Sequence, residues 1–193
     1  MSERPFVILG GGGHARVLAS TLRQLGRRIL GYTDPRSSAF LVDDVEYLGG
    51  DEALQEYASD QVVLAVGLGS THDSARRVRL FSETLTEEFD FPPVVHPQAF
   101  VASEAMIGEG AQVMAGAVVQ PGTQVGENVI VNTNTSIDHD CDIRGHVHVA
   151  PGVTVSGGVI LREGVHVGTG ASIIQEIEVG EQSTIGAGAV VID

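Results

Sequence analysis

VHPQAFVASEAMIGEGAQVMAGAVV, Val95 to Val119, carries a spacing that continues to the end of the 193-residue chain. Stepping by six from Val95 meets Val101, Ile107, Val113, Val119, Val125, Val131, Ile137, Ile143, Val149, Val155, Leu161, Val167, Ile173, Val179, Ile185 and Val191. All seventeen positions are Val, Ile or Leu, and the register never slips. Two residues before most of them stands a small or β-branched residue, as at Ala99, Ala105, Ala111, Ala117, Thr123, Val129, Thr135, Cys141 and Val147. A period of six fits neither a helix at 3.6 nor a plain alternating strand at two. It fits a chain that bends at fixed intervals and turns one large apolar residue inward per short strand, which is a parallel β-solenoid built of hexapeptides.

The residues before Val95 follow a different rule. Pro5 to Leu9 (PFVIL) reads as a buried strand, followed by GGGGHARV and a helical apolar pattern through Val17, Leu18, Leu22 and Leu25 that Gly26 closes. Ile29 to Tyr32 reads as a second strand ending at Asp34, and Val45 to Leu48 as a third. Asp51 is expected to cap a helix reaching Tyr57. Gln61 to Val66 (QVVLAV) is the most apolar strand and ends in GLGS. Thr71 to Leu85 is expected to be helical with Ala75, Val78, Phe81 and Leu85 on one face. Strands alternating with helices predict a small parallel α/β sheet wound like half a Rossmann domain. Pro92 and Pro93 in FDFPPVVHP mark the boundary, giving residues 1–91 to the α/β domain and 92–193 to the solenoid.

Composition narrows the function classes. The net charge is −14, with eleven Arg and no Lys, and the solenoid carries only Arg144 and Arg162 as cations. Nucleic acids and anionic membranes select a basic footprint, so neither is an expected partner. Absence of Lys fits either genome composition or a saline habitat. No apolar run approaches the ~18 residues of a membrane span, and the start MSERPFVILGG has no signal-peptide design, so a cytoplasmic location is expected. The lone Cys141 falls at an inward small-residue position and reads as a core thiol.

Two stretches carry chemistry. Glycines that follow a first strand and open onto a helix let backbone N–H groups approach a phosphate closely, although GGGGHA places Ala15 at the third glycine of a dinucleotide fingerprint. In Asp138-His139-Asp140-Cys141, a histidine beside a carboxylate suits removal of a nucleophile's proton near neutral pH. The cluster Arg76, Arg77 and Arg79 reads either as a solvated helix face or as a contact for acceptor phosphates.

The hexapeptide series resembles the left-handed parallel β-helix of hexapeptide acyltransferases. That resemblance implies three hexapeptides, or eighteen residues, per triangular coil, with Gly108, Gly110, Gly116, Gly122, Gly126, Gly152, Gly164, Gly168, Gly170 and Gly188 at its corners. A GxxGH loop on a small α/β domain ahead of such a solenoid is similar to bacterial sugar acetyltransferases: the UDP-4-amino-sugar N-acetyltransferases and sialic acid O-acetyltransferases. The resemblance implies transfer of acetyl from acetyl-CoA to a sugar amino or hydroxyl group without a metal. It assigns Gly12, Gly13, His14 and Asp34 to the nucleotide-sugar or sugar acceptor, where Pro35 and the loop GLGSTHDS depart from the pattern. His139 and Asp140 match the catalytic pair. His148, Gly157, Thr169 and Gly188 are assigned to acetyl-CoA, Gly157 as a backbone oxyanion donor.

The eighteen-residue step places His166 one coil from His148, about 4.8 Å away, and stacks Arg144 on Arg162. Those arginines read as coenzyme phosphate ligands or as partners of Asp142, Glu163 and Glu181. His72 and His96 are read as surface or linker residues. A homotrimer is expected, because outward Val118, Ile130 and Val190 need covering. Relatives continue past Asp193 into a proline-rich cap, so a truncated or tail-less chain is expected. Direct transfer with His139 as general base is favoured over an acetyl-Cys141 intermediate. From other classes, a γ-type carbonic anhydrase with His139, His146 and His148 on zinc and a non-catalytic scaffold are the alternatives.

Overall fold

A computed structural model describes residues 4–36, 45–70 and 74–193. The apolar run after Pro5 forms β1 (Phe6–Leu9), wholly buried. Helix α1 (Gly13–Gln24) follows, then β2 (Ile29–Thr33), β3 (Tyr47–Gly49), a 3-10 turn over Asp51–Glu56, β4 (Val63–Val66) and α2 (Ala75–Thr86). The four strands pair in parallel in the order β3-β2-β1-β4. This is the expected half-Rossmann winding, and it places the topological switch between β1 and β4.

Several local expectations need correction. Val17 and Leu25 are 42% and 39% exposed; α1 buries Ala15, Leu18, Ala19 and Leu22 instead. Gly50, not Asp51, is the N-cap of the short 3-10 turn that replaces a full helix. The buried stripe of α2 is Arg77, Leu80, Phe81 and Thr84 rather than Ala75, Val78, Phe81 and Leu85. That i, i+3, i+4, i+7 set turns inward because a charged residue has partners inside, as described below. The expected helix start at Thr71 and the position of His72 lie outside the described residues.

From Val94 the chain is a three-sided prism. Strand pairs beginning at Val94, Gln112, Ile130, His148, His166 and Thr184 form the first face. Those at Phe100, Val118, Ser136, Thr154, Ser172 and Val190 form the second, and those at Met106, Gln124, Asp142, Ile160 and Glu178 the third. Every pairing is parallel and offset by eighteen residues, for example Gln124↔Asp142 and Ile130↔His148. The six-residue column and the column two residues before it both point inward and make one continuous core, including Cys141. Each buried Val, Ile or Leu contributes about 1.5–3 kcal/mol, so the register has no competitor.

At the edges, one position in six is left-handed, running from Gly110 (φ 66) to Gly188 (φ 69). Asn128, Asn134, Asp140, His146, Glu176 and Gln182 adopt that conformation without glycine. Gly108, Gly126 and Gly168 serve another purpose, since a Cβ there would lie 2.5–2.8 Å from backbone atoms of the next coil.

The α/β domain covers the first face. Val94 and Met114 of the solenoid share a core with Phe6, Ile8, Leu18 and Leu22. Ile130 is fully buried on that face, so it needs no second subunit to cover it, contrary to the expectation. His96 is also buried, its backbone N–H donating to Val113 O within the first coil, so it is neither linker nor surface.

Candidate functional site

Three arrangements of polar residues emerge, on different parts of the prism. The first lies where the carboxyl ends of the parallel strands meet the solenoid's first face. Gly12 caps α1 without any side-chain cap, and no acidic residue occupies the first turn. The orphan N–H groups and the positive end of the helix dipole are therefore unneutralised. No atom lies within 4 Å of where a side chain on Gly12 or Gly13 would begin, so the space above the loop is open.

Asp34 is buried beneath this loop. Its Oδ2 accepts from Gly11 N (3.0 Å), and its Oδ1 from Arg36 N (3.0 Å) and Arg36 Nε (3.2 Å). Burial opposes its ionisation, but the hydrogen bonds from Arg36 and Gly11 outweigh it and hold the carboxyl below its usual range. Asp34 thus braces the glycine loop from within.

His14 reaches from α1 to the solenoid, where its Nε2 lies 2.7 Å from Gln112 Oε1. Gln112 Nε2 donates to Val66 O (2.8 Å), which fixes the amide and makes His14 Nε2 the donor. Burial then keeps the imidazole neutral with its lone pair on Nδ1. Next to it His148 is clasped between domains. Its Nδ1 lies 2.8 Å from Ser70 O, and a carbonyl only accepts, so Nδ1 carries the proton. Its Nε2 accepts from Asn132 Nδ2 (3.2 Å), an amide whose Oδ1 is taken by Thr133 N. Burial and the nearby Arg77 charge push the His148 pKa down to about 3. His166 packs edge-on against it at 5.1 Å between ring centroids, one coil along as expected.

The second arrangement sits on the edge between the second and third faces, the edge opposite the covered face. His139 is 62% and Asp140 74% exposed, and His139 Nδ1 lies 2.9 Å from Asp140 Oδ2. That contact assigns the proton to Nδ1 and leaves the Nε2 lone pair pointing elsewhere. The Asp140 hydrogen bond, with Asp138 adding, raises the His139 pKa. One coil along, Gly157 makes room for the ring: a Cβ there would be 2.6 Å from His139 Cε1 and 2.7 Å from Nε2. Cys141 is buried with its Sγ 3.2 Å from Ser156 O, and burial pushes its thiol pKa up, a poor nucleophile's setting.

The third arrangement was not foreseen from sequence. Arg77, fully buried, donates from Nη1 to Asn128 O and from Nη2 to His146 O (2.5 Å). Asn128 and His146 stack on successive coils of the edge between the third and first faces, so one guanidinium clamps α2 to two coils. The phosphate-facing reading of Arg77 therefore fails, and burial lowers its pKa to about 10. Asn128 Nδ2 donates to His146 Nδ1 (3.0 Å) beneath it.

The other assigned residues are scattered. Thr169 and Gly188 occupy the edge between the first and second faces, where Gly188 N donates to Thr169 O (2.9 Å). Arg144 pairs with Asp142 at 2.6 Å, as one sequence reading expected, whereas Arg162 pairs with Glu178 at 2.5 Å rather than with Glu163 or Glu181. His139, His146 and His148 occupy two edges and a buried face, each ring held by other partners. Among the described residues no group of three potential metal ligands is gathered. Ser70, Gln112 and Asn132 were missed, although the eighteen-residue step aligns Gln112 with His148 through Ile130 and could have flagged a polar residue on a covered face.

Comparison with known proteins matches residues 5–83 to the PglD N-terminal domain and residues 104–139 to the bacterial transferase hexapeptide (six repeats). No curated protein sequence matches. Among solved structures, the acetyltransferase domain of PglB from Neisseria gonorrhoeae is 33% identical with a TM-score of 0.92, over 98% of this chain and 92% of that one. The same domain in complex with acetyl coenzyme A is 32% identical, with a TM-score of 0.91, over 100% and 94%. A histidine-to-asparagine variant of perosamine N-acetyltransferase from Caulobacter crescentus, in complex with CoA and GDP-perosamine, is 31% identical with a TM-score of 0.91, over 99% and 90%.

Proposed function

This chain belongs to the PglD-like hexapeptide acetyltransferases, and we propose that it transfers the acetyl group of acetyl-CoA to the amino group of a nucleotide-linked amino sugar. The observation that carries the mechanism is the exposed His139–Asp140 pair with its ring seated on Gly157. The open glycine loop and the bare N-terminus of α1 receive the acceptor's diphosphate, so residues 1–91 hold the acceptor and 92–193 the coenzyme and the chemistry.

His139 Nε2 takes a proton from the attacking amine as nitrogen bonds to the thioester carbon. The carbonyl becomes an oxyanion, and the Gly157 N–H, which makes no hydrogen bond among the described residues, is the donor for it. The C–S bond then breaks, and the proton passes from His139 to the departing CoA sulfur. Asp140 keeps the imidazole in the Nδ1–H tautomer and stabilises its charged form. No step passes through Cys141.

Within one chain the acceptor loop and His139 lie on opposite sides of the prism, and the coenzyme residues His148, Gly157, Thr169 and Gly188 lie in three places. A trimer in which the His139 edge of one copy faces the acceptor-domain cleft of the next gathers them into one site. Phe100 and Val190, 56% and 68% exposed on the uncovered second face, favour such packing.

Purified enzyme and acetyl-CoA screened against UDP- and GDP-linked amino sugars, their hydroxyl counterparts and sialic acid test this reading. Thiol release with an amino sugar, reduced about 10²–10⁴-fold in His139→Ala, is expected. Turnover confined to sialic acid would replace the acceptor; turnover undiminished in His139→Ala would replace the mechanism.

A further inference from the structure

We propose that Gly122 is a positioning residue for the His139–Asp140 pair: by lacking a side chain it leaves the seat that the Asp140 carboxylate fills. This rests on the reading of His139 as the general base. Gly122 stands one coil before Asp140 on the same edge, and both are left-handed, at φ 75 and φ 58. Asp140 N donates to Pro121 O (3.0 Å), which fixes the separation of the two coils there. A Cβ on Gly122 would overlap Asp140 Oδ1 and come 3.4 Å from its Cγ. The carboxylate is therefore folded back onto Gly122 through one oxygen while the other meets His139 Nδ1 at 2.9 Å.

The need for a seat follows from exposure. Both members of the pair are largely in water, where an ion pair between free side chains is weak and its geometry loose. No other side chain is hydrogen-bonded to the Asp140 carboxylate among the described residues. Two bare positions, Gly122 under the carboxylate and Gly157 under the imidazole, thus hold the pair by shape. The device recurs on the prism, since Asn134 folds onto Gly116 and Gln182 onto Gly164. Of these three described pairs, only the one at Gly122 has a folded-back group that holds an imidazole.

The test compares Gly122→Asn, Gly122→Ala, Asp140→Asn and Gly152→Asn in the full chain. Asn tolerates the left-handed conformation and already occupies this column at Asn128 and Asn134. Gly152 is left-handed too, at φ 70, but has no atom within 4 Å of a would-be Cβ, so its Asn variant reports the cost of the substitution alone. The readout is the His139 Cε1 NMR titration, assigned by its loss in His139→Ala, alongside kcat and the KM for acetyl-CoA.

Both Gly122 variants are expected to lower the His139 titration midpoint to that of Asp140→Asn and to reduce kcat at least tenfold, leaving the coenzyme KM within twofold. Gly152→Asn should leave the His139 titration midpoint at that of the unaltered chain. Asn suits the left-handed backbone and Ala adds only the single offending atom, so the two variants meet different costs, and circular dichroism identifies which of them keeps the fold. A wild-type midpoint in a folded Gly122 variant overturns the proposal. A lowered midpoint with undiminished kcat upholds the seat and overturns His139 as the base.

Discussion

At the residue scale, the proposed mechanism divides the labour of one proton transfer between His139 and Asp140. General-base catalysis contributes about 10²–10⁴-fold, so His139→Ala should lower kcat by about that factor with the acetyl-CoA KM retained. Asp140→Asn should cost less, because it removes orientation and charge but leaves a base in place. The sign of its pH effect is fixed by the hydrogen bond: Asp140 raises the His139 pKa, so activity falls as the pH drops through that raised value. Losing the carboxylate should move the acid limb of the kcat/KM profile to lower pH. Cys141→Ser should keep most activity, since the thiol faces the core and not the edge. A stable acetyl adduct on Cys141 in mass spectrometry would contradict this mechanism.

At the element scale, α2 is bound to the solenoid by more than apolar packing. Arg77 donates to two carbonyls that belong to left-handed corners on consecutive coils, and Phe81 packs edge-on against His146 at 5.8 Å. Buried backbone carbonyls left without a donor cost about 1–3 kcal/mol each. Arg77→Leu, offset partly by no longer burying a charge, should therefore destabilise the protein by about 2–4 kcal/mol. Because α2 ties the N-terminal domain, the proposed acceptor domain, to the edge between the third and first faces, the same variant should raise the acceptor KM more than the coenzyme KM. Urea unfolding and steady-state kinetics read the two effects; a wild-type transition midpoint would show that the clamp contributes nothing.

At the scale of the whole molecule, the interface between domains sets the response to acid. His14, His146 and His148 are all held neutral there by burial, with Arg77 adding to each. For His148 the folded value is about 3 against 6.5 for the unfolded chain, so between those limits the unfolded chain binds the extra proton. The stability that His148 contributes is present above about pH 6.5 and is lost on acidification at up to about 1.4 kcal/mol per unit, and His14 and His146 act in the same direction. Thermal scans from pH 7.5 to 5 should show a falling midpoint, with a shallower slope in His148→Gln. Assembly is tested separately. If each site draws its acceptor loop and its base from different copies, His14→Ala and His139→Ala chains, each impaired alone, should regain activity when refolded together. Mixtures no more active than their components would place the whole site in one chain.

The solenoid and the half-Rossmann winding were legible in the chain, the first from a local period and the second from alternating strands and helices, whereas the eighteen-residue coil came with the resemblance to hexapeptide acyltransferases. A side chain every sixth residue can be buried in only one register, and a carboxylate next to a histidine in sequence lies within its reach, although the bare positions that seat the pair come from neighbouring coils. The domain interface was not legible. Arg77 lies in a run of arginines that reads as a solvated helix face, and nothing near it in sequence announces the carbonyls of Asn128 and His146. Gln112, Ser70 and Asn132 gain their roles only when two domains meet, and Ile130 is buried on the face that the other domain covers. Gly122 reads as one corner glycine among many; its particular neighbour is set by stacking. Periodic apolar burial is encoded locally and summed along the chain. Hydrogen bonds between distant segments depend on how two independently specified domains dock, and that is decided by shape and by the cost of leaving buried polar groups unpaired.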